Sequence, residues 1–180
     1  MEEFYLNDND YDQGVPSITA AYKGEYPSVV DRYFTRFYHP RKSENGDNED
    51  HLVLFHTNKL CLIGLAKSHI AISKGIESIN YKIGNSDRSL NVVKGKHKKG
   101  GMNLQPDTAL AIVKCKDGSE YKIFSCLTSR LLETNERLEK NPEKVAIEGD
   151  GYIAVVQIKP ENCEKIKAQL TTQEDYSCSI

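Results

Sequence analysis

The chain is poor in several things, and each shortage closes off a class of protein. Only 38% of its 180 residues are hydrophobic, so part of it is expected to lie outside any packed core. Its longest apolar runs, such as LCLIGLA, are far too short to cross a bilayer as a helix. The formal net charge of −2 steers the whole chain toward neither nucleic acid nor membrane, so charge-led recognition must come from a local patch. The opening MEEFYLNDND is acidic and lacks the basic start and apolar stretch of a secretory signal. The five cysteines are an odd number and include no C-x-x-C pair, which argues against a disulfide framework or a zinc module. Cys61, Cys115 and Cys126 sit in strand-like runs and read as small core residues of a reducing compartment.

Catalytic signatures are missing as well. There is no nucleophile elbow, Walker loop or G-x-G-x-x-G. Carboxylates are plentiful in loops, but no pair can be placed across a cleft. His39, His51, His56, His69 and His97 read singly as solvated or capping residues. His51 and His56 bracket a strand-like run and fall on opposite faces, so they cannot share a metal without a bulge. No enzyme activity, cofactor or metal is expected.

What the chain does have is short β-patterned segments. HLVLFHTNKLCLIGLA places two apolar runs around a hairpin turn, and GIESINYKI alternates through Ile76, Ile79, Tyr81 and Ile83. TALAIVKCKDGSEYKIFSC reads as a second hairpin turning at Asp117-Gly118. LTSRLLETNE and GYIAVVQI follow as strands. NERLEKNPEKV and PENCEKIKAQL read as short helices, the latter opening on Pro160 and Glu161. SVVDRYFTRFYHP carries Val29, Val30, Tyr33, Phe34, Phe37 and Tyr38 at helical spacing, with Ser28 as cap and Pro40 as stop. A helix over 28–40 lying across a sheet is expected, either as a lid on the core or as an aromatic surface for a partner. The organisation expected is a mobile acidic segment over 1–27, one β-domain over 28–170 and a polar tail over 171–180. Many short strands between Gly, Asn, Asp and Lys turns point to a small barrel or sandwich, and closure would remove exposed sheet edges.

Two resemblances sharpen this. VVKGKHKKGG, the hairpin, LTSRLLETNERLEKNPEKV and GDGYIAVVQIKP together resemble the glycine cleavage H-protein pattern. That implies a barrel-sandwich hybrid of the lipoyl and biotinyl type, mainly β with a few short helices. Counting back from Asn135-Glu136 without gaps puts the lipoyl-lysine position at Gly118. Lys114, Lys116 and Lys122 lie nearby, but none sits in an acidic-x-K-A context; a shift of the alignment would bring Lys116 to the tip. The expected reading is a hairpin that carries no prosthetic group, with a lipoyl carrier as the alternative. SVVDRYFTRFYHP, EDHLVLFHTNKLCLIGLAKSH and GYIAVV…LTTQEDY more closely resemble a eukaryotic family, the actin-binding transcription modulators called Simiate or Abitram. This resemblance implies an H-protein-like domain without lipoate. It also implies association with actin and residence in cytoplasm, nuclear speckles and cell projections.

Binding is expected from Lys94, Lys96, Lys98 and Lys99, with Arg88 upstream. A lysine cluster on an acidic body makes a footprint for an acidic partner such as actin, or a solvated turn that blocks edge pairing. Nucleic acid fits less well, because no aromatic is interleaved with the lysines to stack bases. An RNA- or chromatin-linked adaptor is the remaining alternative.

Overall fold

The computed structural model describes residues 27–95 and 100–178; the expected mobile segment therefore lies outside the described residues except for Pro27. The chain runs through α1 (Val29–Tyr33), β1 (Phe34–His39), β2 (His51–His56), β3 (Leu60–Leu65), α2 (Ile70–Lys74), β4 (Ile76–Asn80), β5 (Lys82–Ile83) and β6 (Ser86–Asp87). It continues with β7 (Asn103–Leu104), β8 (Ala109–Cys115), β9 (Glu120–Phe124), β10 (Ser129–Thr134), α3 (Arg137–Lys140) and a 3-10 turn (Pro142–Ala146). It ends with β11 (Ala154–Gln157), a second 3-10 turn (Pro160–Asn162), α4 (Cys163–Lys167), β12 (Thr171–Thr172) and α5 (Gln173–Ser177).

The large sheet has seven strands in the order β12-β1-β2-β3-β11-β10-β7, and a second has three in the order β4-β8-β9. Val53, Ile63, Leu131 and Val156 of the large sheet share one core with Ile79, Val113 and Ile123 of the small one. This is the mainly β sandwich that the sequence pattern implied, with short helices at its margins. The sheets stay open and do not close into a barrel. The edges that closure would have removed are kept short instead, since β12 and β7 are two residues each.

Strand β2 shows why simple alternation is lost in this protein. Five of its six residues are buried, because both faces of the large sheet are covered. Val53 and Phe55 point into the main core, whereas Leu52 and Leu54 join Val30, with Phe34, Tyr38 and Leu62, in a second cluster on the outer face.

The helix expected over 28–40 is corrected here. Ser28 does start a helix, its Oγ accepting from the Asp31 amide at 3.1 Å, but the helix ends at Tyr33 and Phe34–His39 is strand β1. All six residues of β1 pair with β2. Phe37 enters the main core while Phe34 and Tyr38 enter the outer cluster. The aromatic spacing satisfies both periods, and the pairing partner decides between them. The tail expected from 171 is corrected too. Its Thr171 and Thr172 pair with Tyr38 and Phe37, and Tyr176 of α5 is buried at 7% exposure.

Candidate functional site

The hairpin between β8 and β9 bears on the carrier question directly. The Gly118 amide donates to the Cys115 carbonyl at 2.9 Å, and the Cys115 amide donates to the Ser119 carbonyl at 2.8 Å. The corners are thus Lys116 and Asp117, with Gly118 following at φ +83°. This is a turn closed by a glycine in the left-handed region, one residue longer than the two-residue turn that Asp-Gly suggests. Asp117 stabilises it by accepting from the Ser119 amide at 2.9 Å. Lys74 of α2 reaches across to Asp117 at 3.0 Å and to the Tyr121 hydroxyl at 2.7 Å. Those two contacts, Tyr121 first, raise the Lys74 pKa, and the Ser119 hydrogen bonds with Lys74 bring Asp117 down to about 2. Lys116 keeps its amide on the Gly75 carbonyl at 2.9 Å, and its stem lies over Gly75. The position matched to a lipoyl lysine is therefore a bare glycine at a tip held down by a lysine from another element.

The basic loop is built on one asparagine. Asn91 Nδ2 donates to the carbonyls of Leu131 and Leu132, both at 3.1 Å, and its Oδ1 accepts from the Met102 amide at 3.0 Å. The neck is tight, since a Cβ on Gly100 would lie 2.5 Å from the Val92 carbonyl oxygen. Leu90 and Val92 are exposed at 74% and 60%, and Lys94 beside them is exposed. Lys96, Lys98 and Lys99 lie outside the described residues. Arg88 behaves differently from the lysines. Its guanidinium donates to Ser86 Oγ at 3.0 Å and to the Ala109 carbonyl at 3.3 Å, and it touches Met102 Sδ. It ties β6 to β8 at the root of the loop.

A groove of about 400 Å³ opens on the outer face of the large sheet. Leu54, Leu62 and Gly64 form its floor, with Tyr38 and Tyr176 on one side and Ile147 and Tyr152 on the other. Its lining charges other than Lys67 are paired within the chain. Arg36 pairs with Asp31 at 2.6 Å and with Glu148. Asp50 accepts from the Tyr176 hydroxyl at 2.6 Å, from Ser68 Oγ at 3.1 Å and from the Arg41 amide at 2.9 Å. The Tyr176 ring lies flat on Tyr38, centroids 3.9 Å apart and 4° from parallel. Burial, and then the Asp50 carboxylate, push the Tyr176 hydroxyl up to about 12. Tyr176 is thus the bolt that fastens the last helix to the sheet.

No family model matches the chain, but curated relatives do. A Drosophila melanogaster protein is 45% identical, over 98% of this chain and 82% of its own. A Homo sapiens protein is 43% identical, over 83% and 85%, and one from Dictyostelium discoideum is 34% identical, over 72% and 75%. All three are named Protein Abitram. The chain belongs to the Abitram family. Among solved structures, the glycine cleavage system H protein of Mycobacterium marinum superposes with a TM-score of 0.50, covering 79% of this chain and 94% of that one. At 10% identity this is a likeness of fold alone. Both resemblances read from the sequence thus hold, one at the level of family and one at the level of fold. The name Abitram is not that of an enzyme.

In this Abitram-family chain the residues least legible from sequence are two buried histidines. His51 is 0% and His69 1% exposed, their rings edge-to-face at 6.0 Å. His51 Nε2 accepts from the Phe124 amide at 3.0 Å and so finishes the edge of β9. His69 Nδ1 accepts from the Ala71 amide at 3.1 Å and caps α2. The other nitrogens, His51 Nδ1 and His69 Nε2, have no partner among the described residues. Burial, with the neighbouring histidines, takes His51 down to about 3, and burial takes His69 to about 4. Both rings are neutral structural acceptors. The capping reading suited His69, but nothing local marked either as buried. His56, five residues on from His51, sits outside against Phe34 with centroids at 5.2 Å. Among the described residues no three His, Cys, Asp or Glu side chains are placed to hold a metal.

Proposed function

We propose that this Abitram-family chain is a non-catalytic interaction module that associates with actin, and that it works in both cytoplasm and nucleus. The observation that carries the reading is the hairpin tip. The sequence count puts Gly118 where a lipoyl carrier needs its lysine, and the turn that ends on this glycine is clamped by Lys74. Without a swinging arm the outer surface is what remains to act. Actin itself comes from the family resemblance of the sequence. The loop rooted on Asn91 supports it with a contact surface: exposed Leu90 and Val92 beside Lys94, extended in sequence by Lys96, Lys98 and Lys99. Apolar anchors ringed by lysines suit an acidic protein surface, the charges guiding encounter and the apolar groups slowing departure.

Filament co-sedimentation tests this. The intact chain should pellet with filamentous actin, and changing Lys94, Lys96, Lys98 and Lys99 to Glu should abolish pelleting. Retained pelleting removes the loop from the mechanism, and absence of binding by the wild type to both filaments and monomers ends the actin reading. Intact mass is expected at the unmodified value; a lipoyl adduct on Lys116 would replace this reading with that of a carrier. Fluorescence imaging of the tagged chain checks the two compartments.

A further inference from the structure

Among the described residues five large apolar side chains stand exposed, and they fall into two groups. Leu90 and Val92 belong to the basic loop. Val29, Tyr33 and Ile147, exposed at 59%, 53% and 51%, belong to α1 and to the groove wall beside it. Helix α1 lies against that wall, since a Cβ on Gly149 would stand 2.9 Å from Val30 Cγ2. Asp31 of α1 lines the groove itself. Of the groove's two cations nearest its rim, Arg36 is matched by Asp31 and Glu148. Lys67 is exposed and has no ion pair among the described residues.

An apolar hollow, exposed apolar side chains at its rim and one unmatched cation call for a segment that is apolar and acidic at once. Such a segment is joined to α1. Residues 1–26 carry Glu2, Glu3, Asp8, Asp10, Asp12 and Glu25 against Lys23 alone, and Phe4-Tyr5-Leu6 is their longest run of large apolar residues. The described fold begins at Pro27, directly before α1. From Leu6 to Pro27 the chain spans at most roughly 70 Å, enough to turn back onto the groove. A tether of this kind gives an effective concentration on the order of 1 mM, so a modest contact is enough to fill the hollow. The cleft of about 650 Å³ beside β7 lies toward the opposite edge of the same sheet, away from α1 and β1. We propose that the groove over β1–β3 is the seat of the chain's own N-terminal segment. Phe4, Tyr5 and Leu6 enter between Tyr176 and Ile147, and Glu2 or Glu3 pairs with Lys67. The docking is independent of the actin reading.

Amide NMR spectra of the full chain test it. Phe4→Ser/Tyr5→Ser/Leu6→Ser should shift the resonances of Lys67, Ile147, Gly149 and Tyr152 in the groove and leave those of Asn103 and Gln157 in the cleft in place. A synthetic peptide of residues 1–12 should bind this variant at least about tenfold more tightly than the wild type, whose groove is already filled. Carbodiimide coupling should join Glu2 or Glu3 to Lys67 within one chain, at a yield that does not depend on protein concentration. The proposal is overturned if the groove resonances stay in place, or if the peptide binds neither protein or both equally. It is equally overturned if the triple variant moves Leu90, Val92 and Lys94 instead, because the segment would then sit on the basic loop. A coupled product that is a dimer, with a yield rising with concentration, overturns it as well, because a second copy would then fill the groove.

Discussion

The groove over β1–β3 and the cleft beside β7 are both depressions on one sheet, yet their polar groups are used in opposite ways. In the groove the charges other than exposed Lys67 have their counterparts within the chain: Arg36 faces Asp31 and Glu148, and beside it Asp50 is ringed by Tyr176, Ser68 and a backbone amide. In the cleft, among the described residues, the side chains of Asn103, Gln157, Asn162 and Lys159 make no hydrogen bond or ion pair. Groups satisfied internally hold a fold together, because removing one partner strands the other in a low-dielectric site. Groups left facing solvent contribute little to stability and are available to a ligand. The difference teaches where to look for function: charges matched within the chain mark the groove as architecture, and side chains left facing solvent mark the cleft as surface chemistry.

Substitution can break that comparison. The largest effect is expected at Gly151, in the groove wall, where an added Cβ would meet three backbone carbonyl oxygens at 2.4, 2.5 and 2.7 Å. Backbone cannot yield as a flexible side chain does, so Gly151→Ala should cost about 3 kcal/mol in urea unfolding. A cost near zero would mean the wall is loose and the groove is open to ligands after all.

Acid comes next. His51 and His69 protonate in the folded chain only far below the value of about 6.5 they have when unfolded. Below 6.5 the unfolded chain therefore binds more protons, so the stability present at neutral pH is lost as pH falls toward 4. A drop of about 2 kcal/mol for each histidine between pH 7 and pH 5 is expected. His69→Asn keeps an acceptor for the Ala71 amide and should flatten that slope; an unchanged slope would show that other groups carry the acid response.

Tyr176→Phe tests the bolt alone. It retains the ring on Tyr38 and takes one donor from Asp50, for which about 1–2 kcal/mol is expected, measured by the shift of the thermal midpoint. The smallest effect belongs to the cleft. Asn103→Ala and Gln157→Ala should each move stability by less than about 0.5 kcal/mol; a larger loss in either would place the cleft with the groove as architecture and erase the contrast.

Much of the scaffold was legible along the chain. The hairpin from Leu52 to Leu65 and the β8–β9 hairpin follow from apolar runs broken by turn residues. Gly118 could be read as a turn glycine because positive φ excludes most side chains. Three failures share one cause. The aromatic run of 33–38 fits a helix face as well as a two-sided strand, and six pairings with β2 chose the strand. Residues 171–177 look polar, yet pairing with β1 and a tyrosine reaching Asp50 dock them. His51 and His69 read as solvated or capping residues; the cap suits His69, but their burial was hidden because it is decided by distant elements, the Phe124 amide 73 positions from His51 among them. The candidate binding residues divide in the same manner: Arg88 and Lys94 are alike in sequence, but one holds β6 to β8 and the other stands exposed.

The sequence by itself determined the two hairpins and most of the other strands, and which family the chain resembles, and it put glycine at the hairpin tip. These are local matters, set by side-chain period, backbone freedom and residue identity. Tertiary structure alone decided that the sheets stack without closing and that one aromatic segment is a strand. It also decided that one depression has most of its charges paired, while the other gathers amides that make no hydrogen bond among the described residues. Such outcomes depend on which distant groups come within hydrogen-bonding range, and no run of neighbouring residues encodes that distance.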